Sequence, residues 1–161
     1  MMKAFSRGRL GTWLARAGVG IGLVSLAAAC GDNQDPAGAE ALWNALQGSD
    51  YRGWERAPGY DARTPSNAPH GGEVDIYIND TLAVALAANE PLDAWPNGSL
   101  IVKDGFDDGD LDLVAVMEKR LTGWYWAEYG DDGEALYSGT PDLCVDCHRS
   151  GADFVRAFGF P

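Results

Sequence analysis

The stretch SLIVKDGFDDGDLDLVAVMEKRLTGWYWAEY, residues 99–129, decides the fold. Residues 99–104 read as a strand, and the acidic residues 106–109 as a turn. Residues 111–120 read as a second strand, with Leu111, Leu113, Ala115 and Met117 on one face. Gly123 opens an aromatic strand that runs through Tyr129. Upstream, Val74, Ile76 and Ile78 alternate with Glu73, Asp75 and Tyr77, which predicts a half-buried strand over residues 73–78. Downstream, Asp131-Asp132-Gly133 is a tight turn into residues 134–137. Asp35 as N-cap with Pro36 at the first helical position starts a helix over residues 39–47 that Gly48 stops. Residues 81–89 are Ala- and Leu-rich and read as another helix, whereas Asn67-Ala68-Pro69-His70-Gly71-Gly72 is a loop. The expected class is α+β, a mainly antiparallel β-sheet with flanking helices.

Charge is unevenly placed along the 161 residues. The whole chain carries 24 acidic and 12 basic side chains, net −12. Lys3, Arg7, Arg9 and Arg16 are the only charges of the first 29 residues. The remainder is strongly acidic, which argues against nucleic acid and anionic lipid surfaces as partners. A basic start followed by an apolar run over residues 17–29 has the layout of an export signal and is short for a membrane span. It ends in Leu26-Ala27-Ala28-Ala29-Cys30, small residues leading into a cysteine that a lipoprotein signal peptidase would cleave and lipidate. Ordinary cleavage after an Ala-x-Ala site, leaving a free Cys30, is the alternative. On either reading the mature chain lies outside the cytoplasm of a bacterium, on the periplasmic or cell-surface side; on the first, lipid on Cys30 is its one membrane attachment. The expected organisation is residues 1–29 as signal, 30–47 as lipidated tether and first helix, and 48–161 as the functional domain.

Cys144-Val145-Asp146-Cys147-His148 has the C-x-x-C-H spacing of a c-type haem attachment site. Two cysteines three residues apart on one helical turn each reach a haem vinyl group, and the next residue, His148, binds iron through a neutral imidazole nitrogen. A thioredoxin-type pair wants a βαβ context. A structural zinc ion needs four ligands, and a Cys144–Cys147 disulfide would close a strained loop. Haem c (iron) is therefore the expected cofactor, and the C-terminal helix its binding element. What lies across the iron from His148 separates electron carriers from ligand binders. Met117 reads as core packing on a strand, His70 as a loop residue, and Lys103 by itself as a solvated or snorkelling lysine. Trp124, Tyr125 and Trp126 are candidates to line a haem crevice, although strand alternation sends at least one of them elsewhere.

The chain resembles the cytochrome P-460 family, which includes the beta form of cytochrome c-prime. The likeness runs from Tyr51-Arg52-Gly53-Trp54 through His70-Gly71, Val74-Asp75-Ile76-Tyr77-Ile78-Asn79-Asp80 and Pro96-Asn97-Gly98-Ser99-Leu100-Ile101-Val102-Lys103-Asp104. It continues through Val116-Met117-Glu118-Lys119-Arg120 and Gly123-Trp124-Tyr125-Trp126-Ala127 to the haem motif and Asp153-Phe154-Val155. The resemblance implies a homodimeric, mainly antiparallel domain with Cys144 and Cys147 as thioether residues and His148 as proximal ligand. It also aligns Lys103 with a lysine joined covalently to the haem edge, and so turns Lys103 into a candidate site residue. Relatives with that link oxidise hydroxylamine at an open distal iron site; c-prime-like relatives bind nitric oxide. Asp104 stands where the family commonly has glutamate, and Glu118, Asp104 and Asp153 are candidates for a distal proton-accepting carboxylate. The implied partners are hydroxylamine or nitric oxide and a basic redox protein suited to the acidic surface.

Overall fold

The computed structural model describes residues 33–67 and 69–161. The export segment and Cys30 lie outside the described residues. Helix α1 (Pro36–Ser49) starts as expected, with the Asp35 carboxylate accepting from the Gly38 N–H at 3.0 Å. It runs through Gly48 and stops where Asp50 takes a left-handed conformation, φ 48°. A 3₁₀ turn at Tyr51–Gly53 leads to the short strands β1 (Glu55–Arg56) and β2 (Thr64–Pro65). Strand β3 (Glu73–Ile78) precedes α2 (Asp80–Ala88), which Asn79 caps. Then follow β4 (Leu100–Asp107), β5 (Asp110–Arg120), β6 (Gly123–Gly130), β7 (Ala135–Gly139) and the final helix α3 (Asp142–His148).

All pairings are antiparallel in the order β1-β3-β4-β5-β6-β7, with β2 added to β3. The class is α+β, as the alternation predicts. The acidic turn is tighter than expected: β4 and β5 extend to Asp107 and Asp110, leaving Asp108 and Gly109, both at positive φ, as the two turn residues. Two positive φ angles are what a two-residue hairpin of matching twist requires.

Strand β3 is not half-buried. From Val74 to Ile78 every residue is buried, because both faces of the sheet are covered. One face packs Val102, Val114, Val116, Tyr125 and Tyr129 under α1. The other packs Ile76, Ile78, Ile101, Met117, Trp124 and Trp126 under α2 and the C-terminal segment. Leu111 belongs to the α1 side, apart from Met117, since the β4–β5 register shifts between Gly105 and Phe106.

Polar groups on the α1 face are paired where they are buried. Asp104, 1% exposed, accepts from the Tyr51 hydroxyl at 2.7 Å and from the Arg52 guanidinium at 2.6 Å. Replacing Asp104 by Ala frees Arg52 for water but strands the Tyr51 hydroxyl, so the unfolding free energy should fall by about 2–3 kcal/mol in urea titrations. Tyr129 donates to the Ala39 carbonyl at 2.8 Å, and burial holds its phenol far above the ordinary value. A folded pKa raised above the unfolded one gives stability that is complete below about pH 10 and lost above it. Unfolding titrations between pH 9 and 11 should show this loss, with a slope shallower in Tyr129→Phe by up to about 1.4 kcal/mol per pH unit.

Candidate haem-binding site

Strand alternation builds one wall of the site. Ile76, Lys103, Ala115 and Glu128 sit opposite one another across β3, β4, β5 and β6, so they share a face. That face is the one covered by α3 and the C-terminal segment, where Ile101, Met117 and Trp126 form the adjoining row. Lys103 is in mid-strand, since β4 runs to Asp107 beyond the expected end at residue 104, and it shares a face with Ile101. Tyr125 points to the opposite face, where its hydroxyl donates to the Asp35 carbonyl.

Helix α3 carries Cys144, Cys147 and His148 on two turns, and both thiols are free. Burial pushes the Cys144 thiol up to about 11, which is the opposite of a reactive thioredoxin-type thiolate. The Cys147 sulfur accepts from the Arg156 guanidinium at 3.0 Å. His148 faces the Phe154 carbonyl through Nδ1 at 3.0 Å, so Nδ1 carries the proton and Nε2 keeps its lone pair. Burial, helped by His70, Lys103 and Arg156, lowers the affinity of this ring for a second proton despite the Phe154 bond. A neutral imidazole with one nitrogen tied to a carbonyl is the form that binds metal.

The Phe154 carbonyl is itself held in place. Asp153 and Phe154 both adopt left-handed backbone conformations, φ 43° and 67°. The Asp153 carboxylate accepts from Lys119 Nζ at 2.7 Å and from the Trp95 N–H at 2.9 Å. The Asp153 carbonyl accepts from the Trp124 indole at 2.7 Å, and the Ala152 carbonyl from that of Trp95 at 2.9 Å.

The three carboxylates singled out in the sequence are therefore engaged elsewhere. Asp104 serves the α1 face, Glu118 pairs with Arg120 on that same face, and Asp153 clamps the loop behind His148. The carboxylate on the Lys103 face is Glu128, which sequence reading missed. It accepts from His70 Nδ1 at 2.8 Å, and the two side chains are 17% and 19% exposed. The ring of His70 lies 6.4 Å from that of His148, and the Trp126 ring 6.3 Å from it. Alternation around Trp126 could have exposed Glu128; nothing local in the sequence brings His70 to it.

Do these residues fit a haem? Among the described residues no three His, Cys, Asp or Glu side chains converge as a bare ion would require. A haem brings four nitrogens and asks the protein for one or two axial ligands and, for c-type attachment, two thiols. The cations agree. Arg52, Arg56, Arg63, Lys119, Arg120 and Arg149 are paired with carboxylates, whereas Lys103 and Arg156 have no ion-pair partner among the described residues. Both act on His148 and leave positive charge beside the thiol-bearing helix. Burial lowers the Lys103 pKa, and the Arg156 charge adds to the effect. Among the described residues the buried indole N–H of Trp126 has no acceptor, an omission that ordinarily costs about 1–3 kcal/mol and that a bound acceptor would remove. The donor set fits.

Fold and site together define an antiparallel α+β domain whose C-terminal helix presents a C-x-x-C-H motif to one sheet face. No family model, curated protein or solved structure matches the chain. No helix among the described residues is long and apolar enough to cross a membrane.

The Asp153 clamp is directly testable. Asp153→Ala loses both carboxylate contacts and a residue type tolerant of positive φ, and should cost about 2 kcal/mol in denaturant titrations. Asp153→Asn keeps that backbone tolerance and should cost about 1 kcal/mol. Equal losses would contradict a backbone role.

Proposed function

We propose that the protein is a mono-haem c-type cytochrome of the P-460 type, exported and tied to the membrane by lipid on Cys30, that handles a small nitrogen ligand such as hydroxylamine or nitric oxide at its iron. The observation that carries this reading is His148: it follows two free thiols on one helix, and its Nδ1 is held by a clamped backbone carbonyl. When bound, the haem supplies one-electron iron chemistry and axial coordination.

Each nearby group then has a task. Cys144 and Cys147 tether the haem edge, and His148 donates Nε2 to the iron. Lys103 and Arg156 would supply positive charge beside the haem, and the Trp126 indole would be available to donate to an acceptor on it. Ile76, Ile101, Met117 and Phe154 exclude water from that face. Lys103 also stands where the P-460 resemblance implies a covalent link to the haem edge. The family likeness extends the reading to a homodimer, and the acidic surface suits a basic redox partner. A second reading, an electron carrier or nitric-oxide binder without turnover, is favoured by His70, whose ring lies beside that of His148.

The full chain matured in a bacterial periplasm should carry one haem that survives acid–acetone extraction, and the double variant Cys144→Ala/Cys147→Ala should release it. Protein that matures without iron would sink the cytochrome reading. A tryptic map in which the Lys103 peptide is free of haem would remove the lysine link and leave the thioethers standing.

A further inference from the structure

Glu128 belongs to none of the roles above, and His70 only to the second reading. They come from a loop and from β6, and the contact between them joins positions far apart in the chain. The loop is laid against β4 by glycines. A Cβ at Gly105 would collide with the His70 carbonyl, and one at Gly71, φ 103°, would meet the Phe106 nitrogen at 2.7 Å. Gly105 lies two residues beyond Lys103 and on its face, so the missing side chain makes the space through which His70 reaches the site. The sheet is also irregular at these points, with register shifts at Gly105/Phe106 and at Glu128/Tyr129. Bulges of this kind re-aim side chains next to functional sites.

The two histidines of the chain thus meet on one face. Each has Nδ1 occupied by an acceptor, Glu128 for one ring and the Phe154 carbonyl for the other. Each is therefore left with Nε2 as its metal-binding atom, the arrangement that outer partners impose on ligating histidines. Two imidazoles on opposite sides of one first-row metal ion, bonded at about 2 Å, have ring centres about 6 Å apart. The observed separation is 6.4 Å.

We propose that His70 is the second axial ligand of the haem iron, opposite His148, with Glu128 fixing its tautomer and raising its donor strength. The inference rests on the cytochrome reading and sharpens it: in the resting protein both axial positions are filled from the chain, and a nitrogen ligand enters only where His70 gives way. Glu128 tunes the site through His70 as a positioning residue, because the carboxylate holds the Nδ1 side of the ring.

The test uses the full-length, periplasmically matured holo-protein. Its ferric optical and electron paramagnetic resonance spectra should be low-spin with the signature of two imidazoles. His70→Ala should become high-spin with its haem-to-protein ratio unchanged, since the thioethers are untouched, and added imidazole should restore the low-spin form. Carbon monoxide should bind the ferrous His70→Ala protein at least about tenfold more tightly than wild type, the scale on which metal-site partners act. Gly105→Ala, which keeps every ligand but displaces the His70 carbonyl, should move the iron toward high spin. Glu128→Gln should remain low-spin with a higher midpoint potential. A high-spin wild type, or a low-spin spectrum unchanged in His70→Ala, overturns the proposal while leaving the haem reading intact. Protein without covalent haem overturns both.

Discussion

The antiparallel ladder of β3, β4, β5 and β6 is the constraint on which everything else in the molecule depends. Its register sets Ile76, Lys103, Ala115 and Glu128 in one row, and the two-residue side-chain period sends Val102, Asp104 and Tyr125 to the other side. A slip of one residue would exchange the two sets, placing Asp104 under the C-terminal segment and Lys103 under α1. Burial on both faces makes that slip expensive. The β4–β5 hairpin, closed by Asp108 and Gly109, holds the register locally.

From that ladder follows a division of labour between the faces. The α1 face is closed by contacts that complete one another: Asp104 with Tyr51 and Arg52, and the Tyr125 and Tyr129 hydroxyls with carbonyls at the start of α1. The opposite face is incomplete by the same measure. Among the described residues it holds a lysine with no ion-pair partner, an indole N–H with no acceptor and two imidazoles whose Nδ1 atoms are engaged and whose Nε2 atoms are left available. Buried polar groups are ordinarily satisfied, so such a concentration on one face marks where a ligand belongs. The clamp around Asp153 adds rigidity there, because five hydrogen bonds to Ala152 and Asp153 hold the backbone just before the carbonyl that orients His148.

Much of this was legible from residue order. Alternation located β3 and β5, aromatic content β6, an N-cap followed by proline α1, Ala and Leu content α2, and the C-x-x-C-H spacing the thiols and His148. What escaped was of one kind. The double burial of β3 depends on a second covering layer, which alternation within a strand does not report. Asp104, Glu118 and Asp153 look alike as carboxylates in an acidic chain, yet each is committed by partners distant in sequence: Tyr51 and Arg52, the α1 face, Lys119 and Trp95. Glu128 attracted no notice because its partner, His70, lies in a loop on the far side of the sheet in sequence.

Residue order by itself determined the α+β class, the local elements and the identity of the chemical groups, since period, caps and motif spacing act over a few residues. Tertiary structure decided which carboxylate and which second histidine accompany His148. That choice turns on strand register, two bulges and the bare backbone of Gly105, and those set contacts only once distant strands have paired.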